Sequence, residues 1–255
     1  MNYKPRINEV NFNHFGSHME IIEYRNARDI DVYFKQYDWV SQHKEYRDFK
    51  QGMIKCPYEP SVYGVGYLGE GIYKVKDNNK TTVEYEEWRG MIRRCYDAYL
   101  INKYPTYIDC TVADTFLCFQ NYARWREDNY YQVPNDKMCL DKDILYKGNK
   151  IYAPTKCTFV PNRINVLFTK ADKRRGDLPI GVCYDKGYYL SHCSVIKNDK
   201  KTKVYLGRYS NPQEAFYSYK TFKENYIKQV ADEYKTLIPS QLYEALYRWE
   251  VDIDD

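Results

Sequence analysis

The tetrapeptide Asn211-Pro212-Gln213-Glu214 fixes a helix start more firmly than any other four residues in the chain. Asparagine serves as N-cap, proline supplies the helical φ where the N–H has no partner in any case, and the glutamate can reach back to the cap. Behind it Ala215, Phe216, Tyr219, Phe222, Tyr226, Ile227 and Val230 line one face of an amphipathic helix. Ahead of it lie three β-like stretches, LPIGVCYDK, GYYLSHCSVI and TKVYLGRYS, with turns expected at Lys186-Gly187 and from Asn198 to Lys201. An apolar stripe has to be buried, and the adjoining sheet is the partner at hand. Residues 176–236 are therefore expected to form a three-stranded sheet carrying the helix on one face and leaving the other free. Leu242, Ala245, Leu246 and Trp249 predict one more short helix in 237–255, followed by a solvated acidic tail.

The rest of the chain reads as further small modules, which together give an α+β fold class. Residues 1–18 are polar and aperiodic and are expected to be a flexible tail. MEIIEY and DIDVYF, the second alternating Ile30, Val32 and Phe34, predict two strands in a small β module over 19–80, with a helical turn or tight loop at Tyr46, Phe49 and Ile54. VYGVGYLGEGIYKV then predicts two β-like stretches hinged at Gly69 to Gly71. Its Gly64-x-Gly66-x-x-Gly69 matches the spacing of a dinucleotide fingerprint, but no helix starts at the last glycine, so a hairpin is the better reading. Helical spacing of Trp88, Met91, Ile92, Cys95, Tyr96 and Tyr99 predicts a helix over 84–100, and Val112, Phe116, Phe119, Tyr122 and Trp125 predict a second over 112–129. Both aromatic stripes read as core.

Residues 137–169, KMCLDKDILYKGNKIYAPTKCTFVPNRINVLFT, predict a strand ending in Leu140, a loop turning at Gly148-Asn149, a second strand over Cys157 to Val160 and a helix from near Pro161. With its LDKDIL, KGNK, Y-x-P, C-x-FVP and IN, this run resembles phage HNH-type homing endonucleases, whose ββα-metal unit has the same element order. The phrase from Gly181-Val182 through Tyr205-Leu206-Gly207 to Glu214-Ala215-Phe216 resembles the AP2 domain that follows the nuclease unit in one such group. The resemblance covers the chain from about Met19 onward. It divides the sequence into an N-terminal β unit, a central HNH-like ββα-metal module with two preceding helices (81–175) and an AP2-like DNA-binding domain (176–236).

The resemblance implies hydrolysis of DNA phosphodiester bonds with a divalent metal, Mg²⁺ by preference, in a host cell's cytoplasm during phage infection. Such chemistry needs a cation to stabilise the leaving oxygen and a base to activate water. Asp141 and Asp143 match the metal-ligand position after the first strand, and Asn165 matches the last position of the HNH signature. The four histidines are His14, His18, His43 and His192, all outside the module. Cys139 or its neighbour holds the first histidine's place, and Thr155-Lys156-Cys157 stands where Glu-Asn-Cys is expected. Cys139, Asp141 and Asp143 are accordingly the candidate catalytic residues, with Asp143 the nearest carboxylate base and Lys142 or Lys156 a phosphate partner. The alternative is a catalytically degenerate DNA-binding regulator, acting on DNA or through a protein partner.

For double-stranded DNA the resemblance points to the sheet. Lys186, Tyr188, Ser191, His192, Lys203, Tyr205 and Arg208, with Arg174 and Arg175 in the basic linker, are the candidate contacts, though strand alternation must turn some of them toward the helix. Charge agrees in its distribution: from Lys170 to Arg208 ten basic residues face four acidic ones, a local +6 within a chain whose total is only +4. The 30 tyrosines suit a binding surface, of protein as well as of DNA, since each joins ring area to a hydrogen-bonding tip. Eight cysteines without a CxxC pair read as reduced thiols, and the spacing of Cys95, Cys110, Cys139 and Cys157 argues against a structural zinc. No run of about 18 apolar residues predicts a membrane span.

Overall fold

The computed structural model describes residues 6–169, 177–197, 200–253 and 255. It is mixed α+β, with several small sheets and helices rather than one continuous sheet. The chain divides into two compact units, Met1–Asp128 with Lys150–Pro154, and Asn129–Asn149 with Thr155–Asp255. This division differs from the expected modules, because the two helical segments before residue 130 belong with the N-terminal sheet. No helix among the described residues is long and apolar enough to cross a membrane.

The first unit opens with strands β1 (Val10–Phe12), β2 (His18–Asn26), β3 (Asp29–Phe34) and β4 (Trp39–Lys44), a sheet in that order with antiparallel neighbours. Two expected strands are present, and two more flank them. Val10–Phe12 lies in the stretch expected to be a tail, and it forms a strand because Met19 and His18 offer it an unpaired edge. Helix α1 (Tyr46–Lys50) packs Phe49 against Met19, Ile21, Ile30, Val32 and Phe34, all fully buried.

The glycine-rich stretch after Pro60 is neither hairpin nor nucleotide loop. It holds only isolated bridges, Val62 to Gly66 and Tyr67 to Cys118. Close packing explains this. A Cβ on Gly66 would stand 3.0 Å from the Trp88 ring, and one on Gly69, at φ +71°, would meet the Cys118 sulfur at 2.5 Å. The glycines are spacers that let the loop lie on the helices. A two-residue pair, β5 (Lys76–Asp77) and β6 (Lys80–Thr81), then leads into α2 (Val83–Tyr96).

The helix expected over 84–100 breaks at Asp97, whose carboxylate accepts the Leu100 N–H at 3.1 Å and caps α3 (Ala98–Lys103). Tyr99, expected in the core, is 68% exposed as a result. The second helix is likewise split, into β7 (Thr111–Val112), α4 (Asp114–Leu117) and α5 (Phe119–Asn129). Trp88, Phe116, Phe119 and Tyr122 are fully buried, and the Trp88 indole donates to the Phe116 carbonyl at 2.7 Å. This aromatic core matches the expected stripes, since strong apolar spacing survives a break in the helix.

In the second unit β8 (Met138–Asp141) pairs antiparallel with β10 (Thr158–Pro161), and α6 (Asn162–Asn165) follows with a 3₁₀ turn over Val166–Phe168. Strand β9 (Ile151–Tyr152), between them in sequence, belongs to the first unit and pairs parallel with β7 there. Strands β11 (Val182–Asp185), β12 (Tyr188–Lys197) and β13 (Lys200–Tyr209) form an antiparallel sheet in chain order. Helix α7 (Pro212–Tyr234) covers one face, burying Ala215, Phe216, Tyr219, Tyr226, Ile227 and Val230, and the Asn211 side chain accepts the Glu214 N–H at 3.0 Å as expected of the cap.

Helix α7 also holds the strand pair: Arg163 of α6 meets Glu233 at 2.5 Å, and the Tyr234 hydroxyl donates to Asp136 at 2.7 Å. Helix α8 (Ser240–Tyr247) buries Leu242 and Leu246. Of the tail expected to be solvated, Asp252 and Ile253 are exposed, but part of it is tied down. Val251 is buried, and Lys147 bridges Asp252 at 2.5 Å and Asp255 at 2.8 Å.

Candidate nucleic-acid interface

Strand alternation sorts the sheet into two faces. In β12 Ser191, Cys193 and Val195 are buried under α7, so Tyr188, Leu190, His192 and Ser194 take the opposite side. Directly paired residues of an antiparallel sheet share a face. Arg208 lies opposite Leu190, Tyr205 opposite His192 and Lys203 opposite Ser194, which places all three on the outer face. The register changes between Ser191 and His192, where Leu206 is the extra residue, so the face survives the bulge with its pattern intact.

On this face the Arg208 guanidinium carbon stands 3.4 Å from the Tyr188 ring centre, and the His192 and Tyr205 rings are 5.4 Å apart. Tyr188 and Tyr205 are 42% and 57% exposed, so both rings remain accessible. Partial burial and the nearby Lys203 charge hold the His192 imidazole below its usual range. Lys186 sits at the tip of the β11–β12 hairpin with φ positive at both Lys186 and Gly187, a turn conformation matched to strand twist.

Ser191 is a correction. Its register partners are Val182 and Gly207 on the helix side, it is fully buried, and its hydroxyl oxygen has no hydrogen-bond partner among the described residues. One residue of register separates it from the outer face. Arg174 and Arg175 lie outside the described residues.

The strand–loop–strand–helix order of the central segment brings some candidate residues together and separates others. Asp141 ends β8 and turns the loop: one carboxylate oxygen accepts the N–H groups of Asp143 at 2.9 Å and Ile144 at 2.7 Å. Burial and the adjacent Asp143 carboxylate push its pKa up to about 6, even though those two amide donors favour the charged form. Asp143 is more open, and the buried Lys142 reaches it at 3.0 Å.

Cys139 shares a strand face with Asp141, but its sulfur contacts the Asn162 side chain at 3.7 Å. Pro161 pairs with Met138, so α6 begins at the end of the strand pair away from Asp141, and Asn165 makes no hydrogen bond to either aspartate among the described residues. Lys156 stands 3.9 Å from the Tyr146 ring centre, leaving Lys142 as the cation beside the carboxylates. The two aspartates fit a hard cation such as Mg²⁺, which takes one or two carboxylates and keeps several waters. A histidine base is not part of the arrangement: the second unit's one histidine is His192, on the sheet.

Two features were not found from sequence. In the first unit Asp29, Asp31 and His43 bring potential ligand atoms within 4.8 Å of one another, the only such three-residue group of His, Cys, Asp or Glu among the described residues. Arg25 already sits there, bonding Asp29 at 3.0 Å and Asp31 at 2.7 Å, and it holds Asp31 down to about 2. The group is thus an ion-pair network tying β2, β3 and β4, with its cation supplied by the chain. Spacing does not reveal it, because His43 is brought in by an irregular stretch of β4. The second is Lys223, buried on the apolar face of α7. Its place four residues after Tyr219 and three before Tyr226 is the signal that could have found it.

No family model, curated protein or solved structure matches the chain.

Proposed function

We propose that this protein binds duplex DNA through the outer face of the β11–β12–β13 sheet, as the resemblance to phage HNH-type homing endonucleases with an AP2-like domain implies. The observation that carries the reading is the company on that face: Arg208, Lys203 and Lys186 with Tyr188, Tyr205 and His192, on a sheet whose other face α7 covers. A major groove accepts a β-ribbon, arginine and lysine serve phosphates and guanine edges, and tyrosine adds stacking area and a hydrogen-bonding tip. The local positive charge between Lys170 and Arg208 supplies the sequence-independent attraction.

A second reading adds hydrolysis, and the adjacency of Asp141 and Asp143 favours it. Those carboxylates are the groups that would hold Mg²⁺, which when bound stabilises charge on the leaving phosphate oxygen. Asp143, the more exposed of the two, is the available carboxylate for activating water, and Lys142 is placed to neutralise phosphate. Against it, one oxygen of Asp141 is occupied by loop amides and Asp143 is already paired. A DNA-binding regulator without hydrolysis fits those same bonds.

The experiment is incubation of purified protein with supercoiled plasmid in Mg²⁺, Mn²⁺ or EDTA, beside an Asp141→Ala/Asp143→Ala variant. Metal-dependent nicking lost in the variant supports the nuclease reading. A retarded plasmid that stays supercoiled supports binding alone, and a plasmid neither retarded nor cut contradicts both.

A further inference from the structure

A cleft of about 490 Å³ lies within the second unit, between the 3₁₀ turn after α6, one edge of β12, helix α7 and the segment after α8. That volume is in the range of pockets that take small organic ligands, roughly 300–1,000 Å³. Its wall is mainly apolar and aromatic, including Val166, Phe168, Val195, Tyr219 and Trp249. Into it comes one buried cation. Lys223 is only 8% exposed, yet no carboxylate or hydrogen-bond acceptor is paired with its amine among the described residues. Burial lowers the pKa of this amine, with the nearby Lys201 charge acting in the same direction, and an anionic partner in the cleft would favour the charged form.

The sheet edge adds a second donor. Strand β11 accompanies β12 only as far as Ser191, so from His192 onward β12 has a strand neighbour on one side alone. Its outward amides alternate: that of His192 donates to the Gly181 carbonyl at 2.8 Å and that of Ile196 to the Tyr226 hydroxyl at 2.8 Å. The same period turns the Ser194 amide to this edge, beside the cleft. The other charged groups on the wall do not balance Lys223 by pairing with it. Asp255 is taken by Lys147 at 2.8 Å, and Lys201 is itself a cation on the exposed side.

We propose that this cleft is a binding site for a small monoanionic carboxylate with an aromatic body, its charge paired to Lys223 and its ring against Phe168, Tyr219 and Trp249. A single carboxylate is enough to pair with the Lys223 amine, and the apolar wall suits the ring. The apolar walls exclude a ligand that is polar throughout. The cleft borders the outer sheet face at His192 and Ser194, and the proposal does not depend on DNA binding.

The test uses the full chain with 2-naphthoate as probe and 2-naphthamide as its neutral isostere, both followed by saturation-transfer NMR and by quenching of tryptophan fluorescence. The carboxylate is expected to bind about 10-fold or more tightly than the amide, because the pair with Lys223 is a charge-assisted hydrogen bond in an apolar setting. Lys223→Met keeps the side chain's bulk and should fold, and in it the two probes should bind within about 2-fold of each other. A Trp249→Phe variant should lose most of the quenching while keeping the preference. Equal binding of both probes by the parent, no binding of either, or a carboxylate preference that persists in Lys223→Met would each overturn the proposal; the first two need only the parent protein.

Discussion

If the outer sheet face meets phosphates, its cations set a measurable salt dependence. Lys186, Lys203 and Arg208 are the described candidates, all exposed, with Lys203 and Arg208 on either side of Tyr205 along the β12–β13 ladder. Each phosphate neutralised contributes about −0.9 to the slope of log affinity against log salt, so the three together contribute about −2.7. Between about 50 and 200 mM salt that alone lowers affinity roughly 40-fold. A Lys203→Ala/Arg208→Ala variant removes about 1.8 of the slope, and the contribution left from Lys186 lowers affinity only 3- to 4-fold over that interval.

The assay is fluorescence anisotropy of a labelled duplex in EDTA at four or five salt concentrations. Far-ultraviolet circular dichroism checks that the variant is folded. The difference between the two slopes is the quantity of interest, because basic residues elsewhere in the chain add equally to both. Lys76→Ala/Lys80→Ala in the β5–β6 pair makes the same change in net charge and should keep the parental slope. A parental slope in Lys203→Ala/Arg208→Ala would refute the assignment of this face.

Three further outcomes follow from packing and charge. Asn211→Ala removes the cap of α7 and should cost about 1 kcal/mol, lowering Tm by roughly 2–4 °C in a calorimetric scan. Gly69→Ala places a methyl against the Cys118 sulfur at a left-handed φ, and should lower stability by more than about 1 kcal/mol in urea titrations; an unchanged midpoint would show that the loop is looser than described. Asp31 has a folded pKa of about 2 against an ordinary 3.8, held down by Arg25, so its stabilising contribution is complete above about pH 4 and is lost as pH falls toward 2. Asp31→Asn should therefore flatten the acid limb of the stability curve in that window and leave the limb above pH 5 parallel to the parent's.

The residues that told most from sequence were those whose reason is local. Asn211 and Pro212 fixed the start of α7, and alternation in DIDVYF fixed β3, because caps and strand periods act within a few residues. Helix breaks were less legible. Nothing in the spacing of Trp88 to Tyr99 announces that Asp97 will cap a new helix, since a continuous apolar stripe is compatible with one helix or two. The glycines at 64, 66 and 69 look like a fingerprint or a hinge until Trp88 and Cys118, from later in the chain, are seen pressing on them. Sites that depend on register were beyond reach. Ser191 and His192 are neighbours in sequence and equal as DNA contacts on paper, yet one is fully buried and the other is on the outer face. The same limit hid Lys223, whose cleft is assembled from six separate stretches of the second unit.

The most direct measurement is an electrophoretic shift of a mixed pool of duplexes by the parent protein at about 50 mM salt in EDTA. Specific and non-specific binders alike hold duplex DNA at micromolar concentration or better under such low-salt conditions. The account predicts a retarded complex at micromolar protein, weakened in Lys203→Ala/Arg208→Ala. Free duplex at all protein concentrations up to tens of micromolar would contradict it and would move the tyrosine-rich surface toward a protein partner.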